Sequence, residues 1–294
     1  MTLFDLVANK QYQNKHVLTK LIEHYATVPY KEIILHYEDV ISAEIVTKID
    51  SDYRKYEKEK MPLEYIVWHV DFLGKSFAID HRAMIPRPET EYMIEAVVEW
   101  ITNQTAANKN EYMDVLDLGC GCGVLGLSVG LHTGKMFIQS IQSRDISQEA
   151  VELTKQNIET YRNALNEIQL GTCVSNGLSE LSKKEALLER WQRNKLTIVC
   201  NYPYIPDETF DQNADECART WEPRSAFVGG KDGLDLYRVL FFEIVKYNLT
   251  HSVLYLEMMT RQMEILEKEY AEDRNLEVVK TFHFNIIIVK AIRK

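Results

Sequence analysis

No run of about 18 apolar residues occurs in the chain, which argues against a membrane-spanning helix. The opening Met1-Thr2-Leu3-Phe4-Asp5-Leu6-Val7 lacks a basic stretch followed by an apolar one, so no secretory signal is expected. Cysteine is scarce, five in 294 residues. An odd number in so long a chain suits reduced thiols and a cytoplasmic setting better than a disulfide scaffold. Metal-ligand spacing is missing as well. Cys120 and Cys122 alternate with glycines without a matching Cys/His pair, and the eight histidines form no ligand pattern. Long basic stretches are also absent: the net charge is −10, and Lys58-Glu59-Lys60 and Lys183-Lys184 are short and mixed with acids. That balance weighs against a nucleic-acid partner and leaves proteins open.

Glycine is missing from residues 1–61, where Pro29 is the one proline. Apolar residues there recur at helical spacing, as in Val17-Leu18-Leu21-Ile22-Tyr25 and Ile33-Ile34-Tyr37-Val40-Ile41. The pattern predicts a bundle of four or five helices over residues 1–66. Its last surface helix runs through Asp50 to Lys60, with Tyr53 and Tyr56 packing into the core.

From Met61 the texture changes. Val70-Asp71-Phe72-Leu73-Gly74-Lys75-Ser76-Phe77-Ala78 alternates about a central glycine and predicts a β-hairpin linker within residues 67–84. Ile85-Pro86-Arg87-Pro88-Glu89-Thr90-Glu91 then leads into a helix from about Thr90 to Thr102, whose Thr and Glu suit a first turn. Helices and short apolar strands alternate beyond it. Residues 85–294 therefore read as a doubly wound α/β domain, a size that fits one large domain beside a small one.

Two local patterns carry chemistry. Val115-Leu116-Asp117-Leu118-Gly119-Cys120-Gly121-Cys122-Gly123-Val124 is a short apolar strand, a Gly-rich turn and the start of a helix. That is the form of a nucleotide-binding unit, with Cys120 and Cys122 as small residues in the cofactor loop. Such a unit needs an acid at the end of the next strand to accept ribose hydroxyls. Phe137-Ile138-Gln139-Ser140-Ile141 reads as that strand region, with Asp145 at its end. Further on, the apolar run Leu196-Thr197-Ile198-Val199-Cys200 ends in Asn201-Tyr202-Pro203-Tyr204. Asn201 and the carbonyl of Tyr202 can accept hydrogen bonds from a planar amino or amide group. Pro203 stiffens the turn, and the Tyr204 ring can cover one face of the bound group.

These patterns occur in a telling order with Pro62-Leu63-Glu64-Tyr65-Ile66, Ile85-Pro86-Arg87-Pro88-Glu89-Thr90-Glu91, Glu222-Pro223-Arg224 and Gly229-Gly230-Lys231-Asp232-Gly233-Leu234-Asp235. Over nearly its whole length the chain resembles the release-factor glutamine methyltransferases of the HemK/PrmC type. The resemblance implies a Rossmann-like class I methyltransferase domain joined by the hairpin to a helical domain that recognises the release factor. It also implies S-adenosylmethionine as methyl donor to the glutamine of a Gly-Gly-Gln loop, by a monomeric enzyme. On this sequence it places Gly119, Gly121 and Gly123 at the donor's methionine end and Asp145 on its ribose. Asp117, Cys120, Cys122, Asn176, Gly177 and Asn201 complete the cofactor set. Asn201, Tyr202, Pro203 and Tyr204 hold the substrate amide, and Arg224 orders the following loop or serves the fold.

Three departures from the family pattern stand out. Tyr202 replaces the first proline of the usual Asn-Pro-Pro-Tyr, Asn176 stands where an Asp is usual, and Phe282-His283-Phe284-Asn285-Ile286-Ile287-Ile288-Val289 reads as a terminal strand without the usual Gly-Arg. The residues leave two other readings open, a nucleic-acid amino-methyltransferase and an inactive cofactor-binding scaffold.

Overall fold

Side-chain caps set the helix starts of the N-terminal unit. Thr2 and Asp5 form a capping box at α1 (Leu3–Ala8), Asn14 accepts from the Val17 amide at α2 (Lys15–Ala26), and Ser42 accepts from the Ile45 amide at α3 (Ala43–Glu59). A short α4 (Leu63–Val67) follows. The computed structural model describes residues 1–107, 112–133, 137–179, 181–270, 276–282 and 286–291. It divides into one unit of Met1–His69 with Glu216–Trp221 and a second of Val70–Asp215 with Glu222–Lys294.

The first unit buries Leu3, Leu6, Val17, Leu18, Leu21, Ile22 and Ile49 in one core. Tyr53 joins it, its ring edge-on to Tyr12 at 4.9 Å and its hydroxyl accepting from the Asn14 amide at 2.7 Å. One expected helix differs. Tyr30–His36 winds as a 3-10 helix, with a three-residue repeat. Ile33 and Ile41 turn inward, whereas Ile34 and Val40 are 71% and 78% exposed.

A hairpin, β1 (His69–Phe72) and β2 (Lys75–Ala78), turned through Leu73 and Gly74 at positive φ, carries the chain into the second unit, which begins at Val70. A 3-10 turn (Pro88–Thr90) precedes α5 (Glu91–Ala107). Then come β3 (Met113–Leu118), α6 (Val124–Thr133), β4 (Ile138–Asp145), α7 (Gln148–Tyr161), β5 (Gln169–Val174), α8 (Glu185–Arg193) and β6 (Leu196–Cys200). The chain continues through α9 (Asp207–Asn213), α10 (Glu216–Trp221), α11 (Asp235–Lys246), β7 (Ser252–Glu257), α12 (Thr260–Tyr270), β8 (Leu276–Phe282) and β9 (Ile286–Ala291). Helix α10 groups with the first unit, where the Trp221 indole donates to the Glu59 carbonyl at 2.9 Å. The stretch expected as a single terminal strand is divided instead: Phe282 ends β8 and Ile286 opens β9, facing each other in an antiparallel pair, while residues 283–285 lie outside the described set.

The seven strands lie in the order β5-β4-β3-β6-β7-β9-β8, parallel from β5 to β7, with β9 antiparallel to both neighbours. Every residue of β3, β6 and β7 is buried, as expected of strands covered on both faces. Strand order reverses between β3 and β6, the switch point where doubly wound sheets bind ligands beyond their carboxyl ends. In register, Leu118 pairs with Arg144 and Cys200, Cys200 with Leu256, and Asp145 with Val174. Gly119, Asp145, Ser175, Asn201 and Glu257 are thereby brought to one edge.

Candidate active site

At that edge lies a cavity of about 410 Å³, within the range of small-molecule sites. The turn after β3 forms one wall. Gly119 has φ +66°, and a methyl there would sit 2.9 Å from the Tyr202 ring. The amides of Gly119 and Cys120 both donate to the Arg144 carbonyl, at 2.8 and 3.0 Å. Asp145 accepts from the amides of Gly121 and Ser147, both at 2.9 Å, so the carboxylate is fixed while its remaining lone pairs stay available. Thr154 and Asn157 of α7 hold the turn from behind, donating to the carbonyls of Gly121 and Cys122 at 2.9 and 2.8 Å.

Opposite, Asn201, Tyr202 and Pro203 follow β6 and line the cavity with Thr90, Met84, Pro86, Pro223 and Ala226. Several segments hold this turn. Gln262 donates to the Tyr204 carbonyl at 2.6 Å, and Ile205 pairs in parallel with Val228. Gly233, at φ +77°, passes so close that a methyl group would fall 2.0 Å from the Tyr204 carbonyl oxygen. Glu222 accepts from the Ile85 amide at 2.9 Å and pairs with Arg87 at 2.7 Å, joining the Pro-Arg-Pro segment to Glu222-Pro223-Arg224. Arg224 reaches Asp211 at 3.1 Å and lies over the Phe210 ring, both on α9, so it orders the segment after the tetrapeptide.

Behind Asn201 stands Glu257, 4% exposed at the end of β7. Thr90 donates to its Oε2 at 2.7 Å and Tyr204 to its Oε1 at 3.0 Å. Burial pushes this carboxyl above the ordinary range, against the pull of hydrogen bonds from Thr90, Tyr204 and Asn201. Burial also raises Asp117, to about 7; one of its oxygens accepts from the Gly126 amide and the other has no partner among the described residues.

Residues 90–174 match the family model described as lysine methyltransferase. The release factor glutamine methyltransferase of Bacillus anthracis is 31% identical over 212 residues, covering 72% of this chain and 68% of that protein. That of Clostridium acetobutylicum is 34% identical over 64% of this chain and 59% of its own length. The Streptococcus pneumoniae protein of the same name is 27% identical over 86% and 82%. The chain belongs to the release factor glutamine methyltransferase family. Among solved structures, the N-terminal domain of human METTL16 matches with a TM-score of 0.50 at 11% identity, over 98% of each chain. That likeness concerns the Rossmann-like class I fold alone.

In this family member, Gly119, Cys120, Gly121, Cys122, Asp145, Asn176, Gly177, Asn201, Tyr202 and Pro203 line one cavity. Three expected site residues do not line it. Asp117 is fully buried beneath the turn and serves α6 through the Gly126 amide. Gly123 backs onto the Thr154 side chain, and Tyr204 turns its hydroxyl to Glu257. The substitution at Tyr202 has a plain accommodation: its ring is buried under Gly119 and beside Tyr237, and adds to the core. Sequence reasoning read Thr90 as part of a helix start and of the Pro-Arg-Pro-Glu-Thr-Glu block, gave it no role at the site, and passed over Glu257. An acid closing the apolar strand Ser252-Val253-Leu254-Tyr255-Leu256-Glu257 is the same signal that marked Asp145.

Proposed function

We propose that this protein transfers a methyl group from S-adenosylmethionine to the side-chain amide nitrogen of the glutamine in the Gly-Gly-Gln motif of peptide chain release factors. One observation carries the reading beside the family membership: a nucleotide-type wall (Gly119 to Cys122, Asp145) and an amide-accepting turn (Asn201, Tyr202) share one cavity. The residues fit the donor. Asp145 would hold the ribose diol, Asn176 and Gly177 would bound the adenine end, and Gly119 to Cys122 would face the methionine end. When bound, S-adenosylmethionine supplies an electrophilic methyl on a sulfonium.

The chain's own residues position the nucleophile. An amide nitrogen is weakly nucleophilic because its lone pair is delocalised into the carbonyl. Asn201 Oδ1 and the Tyr202 carbonyl accept its two N–H bonds, aim the nitrogen at the methyl and stabilise the positive charge that develops on it. Orientation of this kind contributes on the order of 7–11 kcal/mol. The proton leaves to solvent after transfer.

The helical unit recognises the release factor, and the enzyme acts as a cytoplasmic monomer without direct nucleic-acid contact. A net charge of −10 supports the last point, and among the described residues no helix is long and apolar enough to cross a membrane. The test is transfer of labelled methyl to a bacterial release factor beside a version with the loop glutamine changed to alanine. Label that depends on the glutamine supports the reading. Labelling of neither factor, with donor binding confirmed, overturns it.

A further inference from the structure

We propose that Thr90 and Glu257 are positioning residues that fix which end of the Asn201 side-chain amide faces the cavity. The inference rests on the glutamine methyltransferase reading above and assigns that reaction two residues outside the Asn-Tyr-Pro-Tyr turn.

The geometry follows from counting protons. Ionised, the Glu257 carboxylate only accepts, and the hydroxyls of Tyr204 and Thr90 each direct their single proton to one of its oxygens, at 3.0 and 2.7 Å. Thr90 Oγ1 then has only lone pairs to offer. Asn201 Nδ2 lies 3.4 Å from it, at the long limit of a hydrogen bond, and this side of Asn201 must therefore be its NH2. Oδ1 is left for the cavity, where it can accept an N–H of the substrate amide. A reversed Asn201 would set N–H against N–H, and the nitrogen would lose its aim. Thr90 is 2% exposed and Glu257 4%, so water does not compete for this arrangement.

The test compares Thr90→Val and Thr90→Ser in methyl transfer to a release factor, with the donor Kd measured by calorimetry. Thr90→Val should lower kcat by about 10-fold or more, since small misplacements of positioned groups cost up to ~100-fold. The donor Kd should stay within about 2-fold, and Thr90→Ser, which keeps the hydroxyl, should keep kcat within about 2-fold of wild type. A second readout needs no turnover. The Asn201 side-chain amide protons, assigned by their loss in Asn201→Asp, should exchange slowly in wild type and quickly in Thr90→Val. Wild-type kcat with unchanged exchange in Thr90→Val overturns the proposal. If Thr90→Val does not bind the donor, Thr90→Ala replaces it under the same criteria. Absence of transfer by the wild-type enzyme would instead count against the glutamine reading, while the exchange comparison still decides the role of Thr90.

Discussion

Gly119 and Tyr202 occupy each other's space: a single methyl group on Gly119 would come within 2.9 Å of the Tyr202 ring. The two residues follow neighbouring strands, β3 and β6, so the Gly119–Gly123 turn and the Asn201–Tyr204 turn meet at their roots. Bulk at residue 202 is thus balanced by the absence of bulk at residue 119.

Gly119→Ala should weaken both functions of this corner. Its φ of +66° is unfavourable for a side chain, which costs about 1–2 kcal/mol before any clash. Chemical denaturation should show that loss, and calorimetry should show a donor Kd raised by roughly 10-fold or more, as ~1.4 kcal/mol corresponds to. Unchanged donor affinity would mean that the turn relaxes without moving its cavity wall.

Gly233→Ala perturbs the Asn201–Tyr204 turn without touching the Gly119–Gly123 turn. The added methyl would meet the Tyr204 carbonyl oxygen at 2.0 Å, and that oxygen belongs to backbone already held by Gln262. The turn must shift, with an overpacking cost of about 1–3 kcal/mol. The expected result is a fall in kcat of at least ~10-fold with donor affinity nearly intact. A fall confined to donor affinity would contradict the placement of Gly233 against this turn.

Much of the site was legible because its chemistry is local. The turn Gly119 to Gly123, the acid Asp145 and Asn201 each sit at the end of an apolar strand, and the parallel sheet brings strand ends to one edge. Glu257 and Thr90 were not legible as a pair because 167 residues separate them and only the register of β7 unites them. Asp117 misled for a related reason: its place in the motif suggests a ligand contact, yet its carboxyl points beneath the turn to Gly126. In the helical unit, the spacing of Ile33, Ile34 and Val40 was read with a period of 3.6, whereas the segment from Tyr30 to His36 winds more tightly. The grouping of Glu216–Trp221 with that unit depends on long-range contacts, such as Trp221 to Glu59, that no local pattern announces.

Arg144→Met should stabilise the fold. Arg144 is 2% exposed, and none of its guanidinium nitrogens has a hydrogen-bond partner among the described residues. It lies over the Trp191 ring at 5.1 Å, a contact worth ~0.5–2 kcal/mol. Burial pulls its pKa below the ordinary arginine value. An unsatisfied buried donor costs about 1–3 kcal/mol, more when charged, so desolvation outweighs the ring contact. Methionine keeps the length and the ring contact without the charge. Guanidinium denaturation should place its midpoint above wild type. A lower midpoint would show that the guanidinium has a compensating role.

Asp117 gives the clearest pH dependence. Its folded pKa of about 7 lies above the reference value of 3.8, because burial penalises the charged form. The folded state therefore holds this proton more tightly than the unfolded chain does. The resulting stability is fully present below pH ~4, declines between ~4 and 7, and is gone above 7. Asp117→Asn removes the titration while keeping an oxygen to accept the Gly126 amide. Wild type should lose stability relative to Asp117→Asn as pH rises from 4 to 7, measured as the difference between their denaturation midpoints. Above pH 7 that difference should level off, since the carboxyl is then ionised in both states. A difference that stays flat from pH 4 to 7 would place the folded pKa of Asp117 near that of an ordinary carboxyl. Its second oxygen, which has no partner among the described residues, would then have to be hydrated.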